Sequence, residues 1–148
     1  MIELYNLTQA KLWDKCVKSF TEWDVYYLSG YVKAFHIHRD GEPYLLYYEE
    51  NGLRAIYVYM RRSTTLEGVF DSITPYGYGG VLFEGDTSEE NQKAFWKAYT
   101  KKMTEEHIVD NFVRYHPVLR NAETMKSIST EIDLGKTVAF DLASPDVI

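Results

Sequence analysis

The hydrophobic positions along the chain follow two periods, and these divide it into elements. Ile2 to Tyr5 reads as a short strand. Leu12, Trp13, Cys16, Val17 and Phe20 then fall at helical spacing, with Thr8 as candidate N-cap. A second helical stretch carries Leu28, Tyr31, Val32 and Phe35 on one face. Asp24 can cap it, and Gly30 either weakens it or marks its true start. After a Gly41-Glu42-Pro43 turn, two strand-like runs, Tyr44 to Glu49 and Leu53 to Arg62, flank Asn51-Gly52. That dipeptide is a hairpin signal, because both central residues of such a turn need positive φ. Tyr57, Val58, Tyr59 and Met60 are apolar on both faces, which assigns the second run to the middle of a covered sheet.

Further along, Val69 to Ile73 closes as a strand end. Thr87 with Glu90 three residues on forms a capping-box pattern, opening a helix with Phe95, Trp96, Tyr99 and Met103 on its core side and Lys93, Lys97, Lys101 and Glu105 on a solvated side. Ile108 to Tyr115 alternates through Val109, Asn111 and Val113 and is broken at His116-Pro117. Pro117 to Ser127 reads as a loop or short helix. Ser127 to Asp133 and Thr137 to Leu142 read as a closing hairpin around Leu134-Gly135-Lys136. This order predicts a mixed α/β layer sandwich, with helices on the faces of one sheet.

Composition changes the picture in three places. Aromatic residues reach 16%, with Tyr 13, Phe 7 and Trp 3, so many rings must lie where one edge is dry and the other wet. A net charge of −6 with no large basic cluster excludes nucleic acid as the main partner of this chain alone, since phosphate binding needs a basic face. A single cysteine, Cys16, permits no intrachain disulfide and fits a reducing compartment; it lies on the buried stripe as a small hydrophobe. With neither a signal-like N-terminus nor an apolar run of membrane-spanning length, the chain is expected to be cytoplasmic and not inserted in a membrane.

Several fragments copy catalytic signatures without their context. His38-Arg39-Asp40 starts like a kinase catalytic loop but lacks the metal-binding Asn. Gly135-Lys136-Thr137 ends like a phosphate-binding loop, but Thr130 stands where its leading glycine belongs. His36, His38 and His107 have no partners at metal-ligand spacing, so no metal is expected. The stretch from Asp71 to Gly80 stands out: a strand end, Pro75, and three glycines interleaved with Tyr76 and Tyr78. Glycine lets a ligand or another segment approach the backbone closely, and tyrosine adds a flat face with a polar tip. Such a loop is either the wall of a binding site or a structural turn with its tyrosines packed on the sheet.

Taken in order, Asp24-Val25-Tyr26-Tyr27-Leu28, Gly41-Glu42-Pro43, Met60-Arg61-Arg62, the Pro-Tyr-Gly-Tyr-Gly-Gly core of Asp71 to Gly80, Phe112-Val113-Arg114-Tyr115-His116-Pro117 and Gly135 to Leu142 resemble one repeat of the GNAT acyltransferase fold. The likeness is closer to its FemAB-like branch, the transferases that build peptidoglycan cross-bridges. The resemblance implies a single GNAT-like α/β (α+β) domain over residues 1–148, with a mixed, mostly antiparallel central sheet of about six to seven strands and helices on both faces. It also implies the N-terminal half of a two-repeat protein, and hence a fragment that is inactive alone. Its activity would be transfer of an acyl or aminoacyl group to an amine. The partners implied are a small-molecule or cell-wall-precursor acceptor and a second GNAT repeat or homodimer partner.

The GNAT pyrophosphate loop, Arg or Gln followed by x-x-Gly-x-Gly or Ala, is absent. No cofactor is therefore expected on this chain, while acyl-CoA or aminoacyl-tRNA remains a donor for a full-length protein. The resemblance places Tyr76, Gly77, Tyr78, Gly79 and Gly80 on the acceptor side of a cleft. Arg114 and His116 would meet a carboxylate or phosphate, with Arg61 and Tyr26 as further candidates. For Arg114 the alternative is an ion pair with Asp71 or another carboxylate; for the whole chain the alternatives are a non-catalytic ligand-binding or dimerisation module and a self-sufficient acetyl-CoA-dependent N-acetyltransferase.

Overall fold

The structure, a computed structural model, describes residues 1–138. Six strands form one sheet: β1 (Ile2–Tyr5), β2 (Glu42–Glu50), β3 (Leu53–Ser63), β4 (Phe70–Ile73), β5 (Leu82–Gly85) and β6 (Ile108–Phe112). Three α-helices accompany them: α1 (Ala10–Val17), α2 (Ser29–Ile37) and α3 (Glu89–Glu105), with 3-10 turns at Leu7–Gln9, Val25–Tyr27 and Asn121–Met125. All strand pairs are antiparallel except β4 with β6.

β3 organises the sheet, as its doubly apolar run predicts. Ile56, Val58 and Met60 point toward α1 and α2, where they meet Trp13, Val17, Tyr27 and Val32. Ala55, Tyr57 and Tyr59 point the other way, onto Phe95, Trp96, Tyr99 and Met103 of α3. The period-two alternation of the strand thus splits one run between two cores. β2 covers one edge of β3 along nearly its whole length. The other edge is shared end to end: β4 pairs with residues 60–63 and β5 with residues 53–56. Between them the chain leaves the ladder over residues 74–81, opposite residues 57–59. The glycine–tyrosine stretch is therefore an excursion in the middle of what would otherwise be one long strand.

Several elements differ from their sequence expectation. The first cap is Asn6, not Thr8: its side chain accepts from the Thr8 amide at 2.9 Å and closes a capping box with Gln9. Asp24 caps only the Val25–Tyr27 turn, and α2 starts at Ser29. The Thr87–Glu90 capping box does not form; Ser88 is the N-cap of α3 and makes no side-chain cap bond. β5 is a further strand, four residues long and ending in glycine, so it carries almost no periodic signal. A bulge at Val109, between the Phe70–Ile108 and Asp71–Asp110 pairs, turns Val109 outward and Asn111 inward. There Asn111 accepts from the Tyr57 hydroxyl at 2.7 Å and donates to that of Tyr99 at 2.6 Å. Ser127 to Asp133 is not a strand; the remainder of the expected hairpin, residues 139–142, lies outside the described residues.

Candidate functional site

The excursion at residues 74–81 is fastened by side chains from distant parts of the chain. The Tyr76 carbonyl accepts from the Tyr31 hydroxyl (2.8 Å), that of Gly79 from Asn121 Nδ2 (2.8 Å) and that of Gly80 from the Tyr27 hydroxyl (3.0 Å), while the Thr124 hydroxyl donates to the Asn121 carbonyl (2.6 Å). The Gly79 amide donates to the Arg114 carbonyl at 2.8 Å, which ties the loop to the segment after β6. Glycine is required here by both conformation and space. Gly77 and Gly80 have φ of +98° and +105°, and a Cβ at Gly80 would lie 2.7 Å from Asn121 Nδ2. Gly79 and Gly80 are buried, so their role is to let Asn121, Tyr115 and Thr74 close in on the main chain.

His116 is 4% exposed and sits under this loop. Its Nδ1 accepts from the amides of Val118 (3.2 Å) and Leu119 (3.1 Å), so the proton is on Nε2, which donates to Asp24 Oδ2 at 3.0 Å. Both ring nitrogens are thereby committed, and the ring has no lone pair to offer as a base. It forms a three-ring cluster with Tyr26 and Tyr78, all centroid separations being 5.6–5.7 Å. The His116 amide donates to Asn121 Oδ1 at 2.9 Å, completing a buried network in which Asn121 also donates to Tyr27. Burial pushes the Tyr27 phenol far above its ordinary value, so it remains a neutral donor to Gly80.

On the outer side of the loop lies a pocket of about 170 Å³. Ile73 and Pro75, over the fully buried Met60, give it an apolar lining, Phe35, Tyr76 and Phe112 an aromatic one, and the exposed Arg114 and Asp40 its charges. Phe35 and Tyr76 stack with centroids 6.0 Å apart, and Tyr76 is 72% exposed. Arg114 forms no ion pair among the described residues. Its alternative partner Asp71 is held by Arg62 through two bonds, Nε to Oδ1 at 2.8 Å and Nη2 to Oδ2 at 2.7 Å. Asp40 also lines a wider, more open groove of about 640 Å³ that runs past His36, Arg39 and Arg62.

The expected site residues therefore separate. Tyr76 and Arg114 share the pocket. Tyr26, Tyr78 and His116 form the adjoining cluster, and Tyr26 joins the two regions through Tyr31, whose ring lies 5.0 Å from it and 5.1 Å from Phe35. Gly77 leaves room for Tyr26: a Cβ there would lie 2.3 Å from its Cε1. Arg61 stands apart on the α3 face, between the rings of Tyr44 (4.8 Å) and Phe70 (4.6 Å) and paired with Glu106 at 3.3 Å. Asn121 and Asp40 carry no local sequence signal for the site. Asn121 lies in an irregular segment, and its partner Tyr27 is 94 residues away.

No protein-family model matches the chain, and no curated protein matches it. Among solved structures, it is similar to a ribosomal-protein-alanine N-acetyltransferase from Brucella melitensis biovar Abortus 2308, at 12% identity and a TM-score of 0.53, covering 95% of this chain and 99% of that one. Two others are a possible acetyltransferase from Clostridium difficile 630 (16% identity, TM-score 0.41, 95% and 99% covered) and a predicted acetyltransferase with acetyl-CoA from Clostridium acetobutylicum (9%, 0.44, 96% and 96%). The first likeness shows the fold: a mixed α/β domain with a mostly antiparallel sheet, as in that N-acetyltransferase, and the fold expected from the resemblance to GNAT transferases.

That fold implies an acyl-CoA donor, and the residues present do not fit one. The carbonyls of Gly79 and Gly80 already accept from Asn121 and Tyr27, so a pantetheine amide would have to compete with the protein's own side chains there. The start of α3 carries Asp86, Glu89 and Glu90, whose charge opposes the pyrophosphate that a helix N-terminus would otherwise attract. Among the described residues no cluster could hold a metal ion, and no helix is long and apolar enough to cross a membrane.

Proposed function

We propose that this chain is the acceptor-binding unit of an acyl- or aminoacyltransferase of the FemAB-like kind, which joins an acyl or aminoacyl group to an amine. In this reading the chain acts with a second GNAT repeat or a second copy, and the donor is held outside it. The observation that carries the reading is the pocket beside the glycine–tyrosine loop, which Arg114, without an ion pair among the described residues, lines together with apolar and aromatic side chains. A planar guanidinium grips a carboxylate or phosphate by two parallel hydrogen bonds, so Arg114 serves to anchor the acceptor. Tyr76 forms the wall beside it. Asp24, His116 and Asn121 hold the loop in place and thereby position Tyr76, Tyr78 and Pro75.

Catalysis in such a unit rests on positioning the amine, not on a base, since both nitrogens of His116 are engaged. The name of the Brucella protein describes acetylation of an alanine amine; amine acceptance is the one feature carried over to this chain.

Thermal melting with added ligand tests the reading. At 100 times its dissociation constant a ligand stabilises by about 2.7 kcal/mol, raising Tm by roughly 5–10 °C for a domain of this size. A cell-wall-precursor peptide should raise Tm, the Arg114→Gln variant should lose that rise, and acetyl-CoA should leave Tm unchanged. A rise with acetyl-CoA and none with the precursor would replace this reading with that of a self-sufficient acetyltransferase. The committed nitrogens of His116 also favour a second reading, a binding module without chemistry of its own, which precursor binding without transfer in the presence of a second repeat would establish.

A further inference from the structure

Two opposite charges stand on the rim of the Tyr76–Arg114 pocket, and neither has a counter-ion among the described residues. Arg114 and Asp40 both line the cavity, both are exposed, and neither enters any ion pair there, with each other included. A cation and an anion that border one small cavity without closing on each other leave room for a ligand that bridges them. Its ends must carry the complementary charges: a carboxylate toward Arg114 and an ammonium toward Asp40.

Size and lining narrow the class. At about 30 Å³ per water, the 170 Å³ cavity holds roughly five or six water volumes, too few for a nucleotide or an oligosaccharide. Ile73 and Pro75 present no charge, so the part of the ligand that lies against them is apolar. An α-amino acid carries a carboxylate, an ammonium and a side chain on one carbon, one group for each of Arg114, Asp40 and the apolar lining.

We propose that the pocket binds a free α-amino acid with an apolar side chain, its carboxylate on Arg114, its ammonium on Asp40 and its side chain against Ile73 and Pro75. The proposal takes the pocket read above as the acceptor site and names the ligand class. Asp40 joins the site as a specificity-determining residue, because it selects for the amine. It also borders the wider groove, so the amine end of the ligand faces the more open of the two cavities.

Calorimetric titration of the chain tests this with three probes: leucine, N-acetyl-leucine, which lacks the ammonium, and leucinamide, which lacks the carboxylate. Leucine should bind saturably at one site, and each blocked analogue at least tenfold more weakly. Asp40→Asn should weaken leucine at least tenfold and leave N-acetyl-leucine unchanged; Arg114→Gln should weaken leucine equally and leave leucinamide unchanged. Both side chains are exposed, and the blocked analogues test the same contacts on the unaltered protein, so a misfolded variant does not rescue the idea. Absence of saturable leucine binding, or N-acetyl-leucine binding as tightly as leucine, overturns the proposal. No donor is present in this titration. Its failure therefore leaves amine acylation standing; where leucine binds, absence of transfer once a second repeat and an acyl donor are added removes the transferase reading and keeps the site.

Discussion

Asn121 has one amide side chain and three buried partners. It accepts from the His116 amide and donates to the Gly79 carbonyl and the Tyr27 hydroxyl, and it is 3% exposed. Asn121→Ala would strand a buried N–H and a buried carbonyl at once. Each such group costs about 1–3 kcal/mol, so a loss of about 3 kcal/mol is expected in urea unfolding. Asn121→Asp should not restore it, because a carboxylate can accept from His116 but must repel the Gly79 carbonyl. A loss below about 1 kcal/mol for both variants would mean that the loop is not held by this network. In the proposed reading the same bonds matter for acceptor binding, because they hold the backbone of the loop that carries Tyr76.

At the level of elements, the decisive feature is a strand interrupted in its middle. β4 and β5 share the edge of β3, and the excursion between them exists only because β5 returns to the ladder. That return is tight: a Cβ at Gly85, where φ is +92°, would lie 2.1 Å from the Gly52 carbonyl oxygen, which already accepts from the Asp86 amide. Gly85→Ala must therefore push the β2–β3 turn away from β5, at an expected cost of about 3 kcal/mol. Gly68→Ala is the control. It has the same sign of φ but nothing within 4 Å of its Cβ, and should cost only about 1 kcal/mol of backbone strain. Equal effects in denaturant unfolding would show that strain alone, and not contact between β5 and the turn, sets the cost.

Across the whole molecule, the two cores share a pH limit. Tyr27 lies on the α1–α2 side and Tyr57, Tyr59 and Tyr99 on the α3 side; burial raises all four phenols well above the ordinary value near 10. In the unfolded chain they ionise near pH 10, and in the fold they stay protonated. The unfolded state then binds fewer protons than the native state, so stability is full below about pH 10 and falls as pH rises above it. Four such groups together give a slope of up to about 5 kcal/mol per pH unit. Tm should therefore be flat up to about pH 9.5 and drop steeply beyond pH 10. A second fraction of tyrosinate absorbance should appear only with the loss of far-UV circular dichroism. If all 13 tyrosines ionised in one wave while the structure persisted, the burial argument would fail.

Periodicity alone determined much of this architecture. The hairpin at Asn51-Gly52, the doubly buried β3 and the core face of α3 are local patterns repeated over many residues, and local patterns are legible in a sequence. Short or irregular pieces were not. β5 has four residues, the bulge at Val109 reverses the alternation that should have placed Asn111, and the cap of α3 fell on Ser88 because turn geometry, not the nearest matching tetrad, selects the capping residue. For the site, the sequence singled out the glycine–tyrosine loop, Arg114 and His116. Their surroundings became visible only in three dimensions, because they depend on contacts across long separations. Tyr27 and Asn121 close on the loop's backbone, Asp24 takes the proton-bearing nitrogen of His116, and Arg62 removes Asp71 as a partner, which leaves Arg114 facing the pocket.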